Sequence, residues 1–93
     1  MKTIEWATGL FEGEGHIGPS HLEIEMTDKD VIHDFYEVMG CGNVYDRERP
    51  GKHAWRWKVA KKEHVRRILN DMLPNLGTRR AHRALDALDN IEL

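Results

Sequence analysis

Hydrophobic residues recur at every third or fourth position in several stretches of the chain, which is the spacing of one helix face. The predicted helices cover residues 2–12, 29–39, 62–73 and 79–91. Thr27 or Asp28 caps the second helix, Gly40 and Gly42 end it, and Pro74 stops the third. The residues predicted to face the core from the first three helices are Ile4, Ala7, Phe11, Val31, Phe35, Val38, Val65, Ile68, Leu69 and Met72.

Two other stretches alternate strictly between hydrophobic and polar residues, as half-buried strands do. They are residues 21–26, with Leu22, Ile24 and Met26 inward, and residues 53–59, with Trp55, Trp57 and Val59 inward. Residues 43–49 are also extended and form a hairpin with 53–59 through the Pro50-Gly51 turn, while residues 16–20 make a short extended segment. This order predicts one α+β domain over residues 1–93, with helices packed on one face of an antiparallel sheet.

The first predicted helix carries two glycines on one face and two acidic residues at its end. Gly9 and Gly13 lie four residues apart, so a second element can approach the bare backbone closely, at a cost of about 1 kcal/mol per glycine relative to alanine. Glu12 and Glu14 lie where the helix dipole disfavours carboxylates by about 0.3–1 kcal/mol each. Two interpretations remain open: a glycine-capped helix followed by a solvated turn, or a cation site.

Residues 6–15 read Trp-Ala-Thr-Gly-Leu-Phe-Glu-Gly-Glu-Gly. The part from Gly9 to Gly15 resembles the signature of the LAGLIDADG homing endonucleases, with Ala7 and Thr8 where that motif has Leu and Ala. The order of predicted elements is similar to the half-domain of that family along essentially the whole chain. The resemblance implies that the fold is such a half-domain and that it dimerises through its first helix.

The resemblance also implies a metal site at the end of that helix. Glu14 matches the family's metal-binding acid just beyond the helix, and the carbonyl of Gly13 would be a second ligand. Oxygen ligands of this kind suit Mg²⁺ or Mn²⁺. Because one carboxylate supplies too few ligands, a chain with one motif copy is expected to form a homodimer that places two Glu14 side chains together. The expected crossing surface consists of Ala7, Gly9, Leu10 and Gly13.

Three further residues receive catalytic roles from the resemblance. Arg79 or Arg80 occupies the position where family members often carry a basic residue near the scissile phosphate, which would stabilise the developing charge. The alternative for both arginines is an ordinary helix surface. Asp28 falls where the family tends to place a polar residue that orders water in the active site.

The sheet face without helices is the predicted surface for double-stranded DNA. Alternation assigns to it Asn43, Tyr45, Arg47, Arg49, Arg56 and Lys58. Arginine and asparagine can make bidentate contacts with base edges, and a β-ribbon fits the major groove. A solvated sheet face would be polar as well, and Glu23 and Glu25 on the same predicted face would repel phosphates.

The formal net charge of −2 conceals a strong asymmetry along the chain. Residues 47–83 hold 12 basic and 3 acidic side chains, a balance of +9, whereas residues 1–46 hold 2 basic and 10 acidic ones. A basic block of this density indicates a polyanionic partner. The alternative is that lysine and arginine simply solvate helix faces, which we favour for residues 61–67. The sequence has no apolar run near 18 residues and no signal pattern, so we expect a cytoplasmic protein that does not contact a membrane.

The positions of histidine and cysteine in the sequence indicate no further metal or catalytic site. The six histidines include no pair at the i, i+4 spacing of helical metal ligands, and none is assigned to catalysis. Cys41 is alone, which excludes an internal disulfide and a cysteine-rich zinc site.

Two functions are compatible with these patterns. The first is a homodimeric, Mg²⁺-dependent, site-specific DNA endonuclease of the homing type, which the motif and Glu14 favour. The second is a non-catalytic nucleic-acid-binding module that regulates transcription or assists intron folding. About six residues separate Glu14 from the second strand, where the family usually has a long two-stranded arm, and this favours the second function.

Overall fold

The computed structural model describes residues 2–92, and within them helices and strands follow the predicted order. The helices are α1 (Ile4–Glu14), α2 (Lys29–Met39), α3 (Lys62–Met72) and α4 (Thr78–Glu92), with a short 3₁₀ turn at Leu73–Asn75. The strands are β1 (Gly15–Ile17), β2 (Leu22–Met26), β3 (Asn43–Arg49) and β4 (Lys52–Val59). None of the described helices combines the length and the apolar character that crossing a membrane requires.

The strands form one antiparallel sheet in the order β1-β2-β4-β3. Gly51, with φ +75°, follows Pro50 in the turn between β3 and β4, where a glycine tolerates the left-handed conformation best. The predicted α+β architecture with helices on one sheet face is therefore confirmed. The other sheet face stays open, and the alternation of each strand decides which side chains it carries.

Three aromatic side chains connect the layers of the core. The rings of Phe35 and Trp57 meet edge to face with centroids 4.9 Å apart, and Phe11 stacks on Phe35 at 6.4 Å. All three side chains are fully buried. These two ring contacts connect α1 to α2 and α2 to β4, and they thereby fix the distance between α1 and the sheet.

The buried face of α2 differs from the prediction. Ile32, Phe35 and Met39 are buried, whereas Val31 and Val38 are only half-buried. Both sets fit the helical period, and the observed one buries larger apolar side chains, which contributes more free energy. Met26 and Trp55 are likewise half-buried, because this cross-strand pair lies at the end of the β2–β4 ladder.

Helix α1 begins and ends two residues later than predicted. Thr3 caps its first turn by accepting a hydrogen bond from the backbone N–H of Trp6 at 3.1 Å. At the other end Gly15 has an extended backbone (φ −84°, ψ 164°), so the chain passes directly from helix into strand without a left-handed glycine cap. Glu14 is consequently the last helical residue, whereas it was expected just beyond the helix. A Cβ at Gly15 would lie 2.6 Å from Cε1 of Phe11, which explains the glycine at this junction.

Candidate nucleic-acid interface and metal site

The open sheet face carries the polar residues that alternation assigned to it. The four predicted residues of β3, namely Asn43, Tyr45, Arg47 and Arg49, are exposed. The antiparallel register places Asn43 opposite Lys58 and Tyr45 opposite Arg56. These side chains therefore form two adjacent rows on one surface, as contact with a DNA groove would require.

Acidic residues of β2 hold two of the predicted DNA-binding arginines. Glu25 accepts a hydrogen bond from Nη2 of Arg49 at 2.6 Å, and its other oxygen lies 3.4 Å from Nη2 of Arg56. Nη1 of Arg56 also lies 3.6 Å from a carboxylate oxygen of Glu23. The two acids thus neutralise Arg49 of β3 and Arg56 of β4. The same ion pairs reduce the repulsion between these acids and a phosphate.

Two other predicted contacts remain available to a ligand. Among residues 2–92 no ion pair engages Arg47 or Lys58. Arg47 is exposed on β3 and Lys58 is half-exposed on β4. Within the described part of the chain, the open face therefore combines two unpaired cations, Arg47 and Lys58, with two compensated ones, Arg49 and Arg56.

Glu14 lies at the edge of this surface. It is exposed at the end of α1 and lines two depressions that also include Glu25. The larger, of about 330 Å³, is bordered by Glu14, His16, Glu23, Ile24, Glu25, Arg49 and Arg56. The end of α1 and the open sheet face consequently form one continuous surface.

The two acids at the end of α1 differ in their partners. Glu12 accepts a hydrogen bond from the N–H of Gly77 at 2.5 Å, and its second oxygen lies 3.3 Å from Nε of Arg80. Glu14 has no such partner within residues 2–92. By contrast, Glu63 lies at the favourable end of its own helix, where a backbone hydrogen bond lowers its pKa. Of these acids, only Glu14 lies at an unfavourable helix end without a compensating partner among the described residues.

The donors near Glu14 are hard oxygen atoms, which fit Mg²⁺ or Mn²⁺. The Glu14 carboxylate and the exposed Gly13 backbone supply fewer than the six ligands that Mg²⁺ takes. Water, phosphate oxygens or a second subunit would have to complete the coordination. The group of residues is compatible with the metal but incomplete by itself.

Arg79 and Arg80 are adjacent in sequence but have different surroundings. Nη1 of Arg80 donates to the carbonyl of Gly15 at 2.5 Å, and its guanidinium lies 5.9 Å from the Phe11 ring centre. Together with Arg83, which donates to the carbonyl of Ile17 at 2.6 Å, it covers the free edge of β1. Arg79 is exposed and borders a depression with Gly15 and His16.

Asp28 has a structural role that the sequence predicted. Its Oδ1 accepts a hydrogen bond from the N–H of Val31 at 3.2 Å and thereby caps α2. The side chain is exposed, and its neighbour Thr27 borders the second depression beside Glu14. Asp28 therefore follows directly in sequence a residue that borders the depression at Glu14, where Asp28 is expected to order water.

No protein-family model matches the sequence, and no curated protein does either. Solved structures do match over nearly the whole chain. One is the homing endonuclease I-CvuI in complex with the I-CreI target in the presence of Mg, with the DNA not cleaved; it has a TM-score of 0.81 and 20% identity. A second structure of I-CvuI, with its own target in the presence of Ca, gives a TM-score of 0.79 and 19% identity. Each comparison covers 96% of this chain.

The homing endonuclease I-TnaI matches with a TM-score of 0.78 and 14% identity, over 99% of this chain and 72% of its own. The chain has the LAGLIDADG homing-endonuclease fold. It spans 65% of the length of the I-CvuI chains. The first hairpin of this LAGLIDADG fold is short here, because β1 has three residues and β2 has five.

In this LAGLIDADG fold the expected dimer residues on α1 fall into two groups. Gly9 and Gly13 are exposed and Leu10 is half-exposed, so they can contact a partner. Ala7 has no exposed surface because it packs in the hydrophobic core of this chain. Its prediction as an interface residue is therefore wrong, since the helical period places it on the opposite side from Gly9.

One cluster was missed by the sequence analysis. His16, His21 and Glu23 each offer a ligand atom, and these atoms all lie within 4.8 Å of one another. The search for helical i, i+4 pairs could not find it, because strand pairing across the β1–β2 loop places His16 opposite Glu23. The signal available in the sequence was the alternation that puts His21 and Glu23 on one strand face.

Proposed function

We propose that this chain is one subunit of a homodimeric, divalent-metal-dependent, site-specific DNA endonuclease. The observation that carries the proposal is Glu14, which is uncompensated at the wrong end of α1 and adjoins the open sheet face. The LAGLIDADG fold supports the same assignment, since I-CvuI with this fold has been solved with DNA. A cation at Glu14 would remove the electrostatic penalty that the subunit leaves in place.

The glycines of α1 support the homodimer. A Cβ at Gly9 or Gly13 would meet nothing within 4 Å inside the subunit. Each glycine nevertheless disfavours the helix by up to about 1 kcal/mol relative to alanine. Close approach of α1 from a second copy would explain both glycines, and a two-fold axis there would bring the two Glu14 carboxylates together.

The open face would bind the DNA. Arg47, Lys58, Asn43 and Tyr45 are available to phosphates and base edges without breaking an ion pair of the described residues. Arg49 and Arg56 would have to exchange the carboxylates of Glu23 and Glu25 for DNA. We therefore assign Arg47, Lys58, Asn43 and Tyr45 to the initial binding of DNA. We assign Arg49 and Arg56 to contacts that depend on the DNA sequence.

Glu14 and the Gly13 carbonyl would hold Mg²⁺ or Mn²⁺, with phosphate and water completing the shell. When bound, the cation would activate water and stabilise charge on the leaving oxygen. No described residue holds Arg79 in a hydrogen bond or ion pair, whereas Arg80 is engaged by Gly15 and Glu12. We therefore favour Arg79 for the electrostatic role at the scissile phosphate. Asp28 would order water through the carboxylate oxygen that does not cap α2.

Two observations favour the second function, a non-catalytic nucleic-acid-binding module. The pairing of Glu23 and Glu25 with Arg49 and Arg56 leaves part of the face neutral, and the short β1–β2 hairpin reduces the number of phosphates within reach. Such a protein would bind nucleic acid weakly and would not cut it with any divalent metal.

The decisive experiment incubates a randomised duplex library with Mg²⁺ and sequences the cut ends. We expect specific cleavage by the wild type, a loss of at least about 100-fold in Glu14→Gln, and no change in the control Glu5→Gln at the other end of α1. Equal cutting by the wild type and Glu14→Gln would remove Glu14 from the mechanism. Binding in a gel shift at about 50 mM salt without cutting would support the second function.

A further inference from the structure

We propose that His16, His21 and Glu23 form a binding site for a transition-metal dication of the zinc class, separate from the oxygen site at Glu14. Strand pairing places His16 directly opposite Glu23, and His21 lies two residues before Glu23. Nε2 of His21 is 3.7 Å from Oε1 of Glu23, and all three ligand atoms lie within 4.8 Å of one another. The three donors therefore already face a common point on the open side of the sheet.

Hydrogen bonds hold the backbone around these donors in place. The N–H of Gly18 donates to the carbonyl of His21 at 2.8 Å, which closes the β1–β2 loop. A Cβ on Gly18 would lie 2.9 Å from Nε2 of His21, so the absence of a side chain makes room for this imidazole. The arginines of α4 that hold the carbonyls of Gly15 and Ile17 fix β1 from its other edge. The loop and both strands are thus held before any ion binds, which lowers the entropy lost on binding.

The ligand set indicates the class of metal. Two imidazoles and one carboxylate suit zinc and its neighbours in the transition series, whereas Mg²⁺ prefers oxygen donors alone. Ligand bonds of about 2.0–2.2 Å in a tetrahedral shell separate neighbouring donors by about 3.3–3.6 Å. The separation of 3.7 Å between His21 and Glu23 is already close to this range, and the other separations are at most 4.8 Å. Rotation of the exposed His16 side chain would have to close the shell. A fourth position would be left for water.

Binding would change the charge of the open face. With neutral imidazoles the cluster carries the single negative charge of Glu23, and a dication would reverse its sign. Glu23 would then compete less for Arg56, whose guanidinium lies 3.6 Å from it. The short hairpin would gain both a cross-link between β1 and β2 and a positive charge next to the predicted DNA surface.

The test measures Zn²⁺ binding to the untagged full chain at pH 7.5, by competition with a chromogenic zinc indicator. We expect one ion per chain in the wild type. We expect each of the variants His16→Gln and His21→Gln to weaken zinc binding by at least about 10–100-fold. Loss of a residue that only hydrogen-bonds to a metal ligand already has an effect of this size, and loss of the ligand itself should have a larger one. The matched control is His33→Gln, which changes an exposed histidine on α2 and should bind as the wild type does. Millimolar Mg²⁺ should not displace the zinc.

A second measurement follows thermal unfolding of the same proteins. Zn²⁺ should raise the Tm of the wild type and of His33→Gln but not that of His21→Gln, because only a ligand bound to the native state stabilises it. Glu14→Gln should keep its zinc, so a failed cleavage assay and a failed zinc site are distinguishable. Equal binding by all variants, or no saturable binding below about 100 μM Zn²⁺, would overturn the proposal.

Discussion

The inward and outward faces of α1 differ in how closely the rest of the chain packs against them. On the inward face Ala7 and Phe11 are fully buried, and the hydroxyl of Thr8 donates to the carbonyl of Ile4 at 2.7 Å. On the outward face, apart from the adjacent backbone of α1, no described atom lies within 4 Å of the place where a Cβ of Gly9 or Gly13 would lie. The residues of the inward face are fully packed within the described chain. The two glycines of the outward face have no explanation within that chain, and an additional partner would explain them.

The end of the same helix repeats this contrast with charged groups. Glu12 is compensated by Gly77 and Arg80, but Glu14 has no counterpart in the described chain. Some residues are energetically unfavourable at their position and have no neighbour that compensates the cost. Such a residue is better evidence for a ligand or a partner than an exposed apolar patch is. We therefore make three predictions, one for each face of α1 and one for the arginine of α4 that holds its end.

The largest effect is expected on the inward face. Phe11→Ala should lower the free energy of unfolding by about 3–5 kcal/mol, because it leaves a cavity beside Phe35 and removes the contact with Arg80. Urea denaturation monitored by circular dichroism measures this loss. Glu5→Ala on an exposed position of the same helix should change it by less than about 0.5 kcal/mol. A loss below about 1 kcal/mol in Phe11→Ala would mean that the inward face does not anchor the helix.

An intermediate effect is expected where α4 holds the end of α1. Arg80→Gln should cost about 1–2 kcal/mol of unfolding free energy, because the carbonyl of Gly15 and the carboxylate of Glu12 lose a charged donor. The value lies low in the usual range since both side chains are partly exposed. Arg79→Gln should leave stability within about 0.5 kcal/mol of the wild type and reduce DNA cleavage instead. The reverse outcome would exchange the roles that we assign to the two arginines.

Local pattern predicted the fold well, because burial follows short-range periodicity in this chain. The alternation in β2 and β4 correctly identified Leu22, Ile24 and Trp57 as buried. The same reasoning chose the wrong stripe of α2, since two sets of residues fit one period and only packing against the sheet separates them. The end of α1 was missed because Gly13 and Gly15 were interpreted as stop signals, whereas the chain continues directly into β1.

The candidate site was less accessible to sequence reasoning, because its contacts join residues that are distant along the chain. Glu14 was found through a motif, which is local. The pairing of Arg49 with Glu25 spans 24 residues and depends on a strand order that the sequence does not state. The cluster of His16, His21 and Glu23 likewise depends on a register, which shifts every side chain to the other face if it slips by one residue.

The smallest effect, and the sharpest test of the outward face, is expected from Gly9→Ala. In the isolated subunit this change should raise the free energy of unfolding by about 0.5–1 kcal/mol, because alanine favours the helix and a Cβ meets nothing within 4 Å. If a second α1 lies against this position, the same Cβ should weaken the dimer. Sedimentation velocity measures association, and urea denaturation at two protein concentrations measures stability.

The two measurements are expected to move in opposite directions, which separates this prediction from a general loss of structure. Stability at low concentration should rise while the dimer dissociation constant increases, and Gly9→Leu should strengthen the second effect because its side chain is larger. A rise in stability with unchanged association would mean that no partner approaches Gly9. The outward face of α1 would then have no role in assembly, and the two Glu14 carboxylates could not be brought together along this helix.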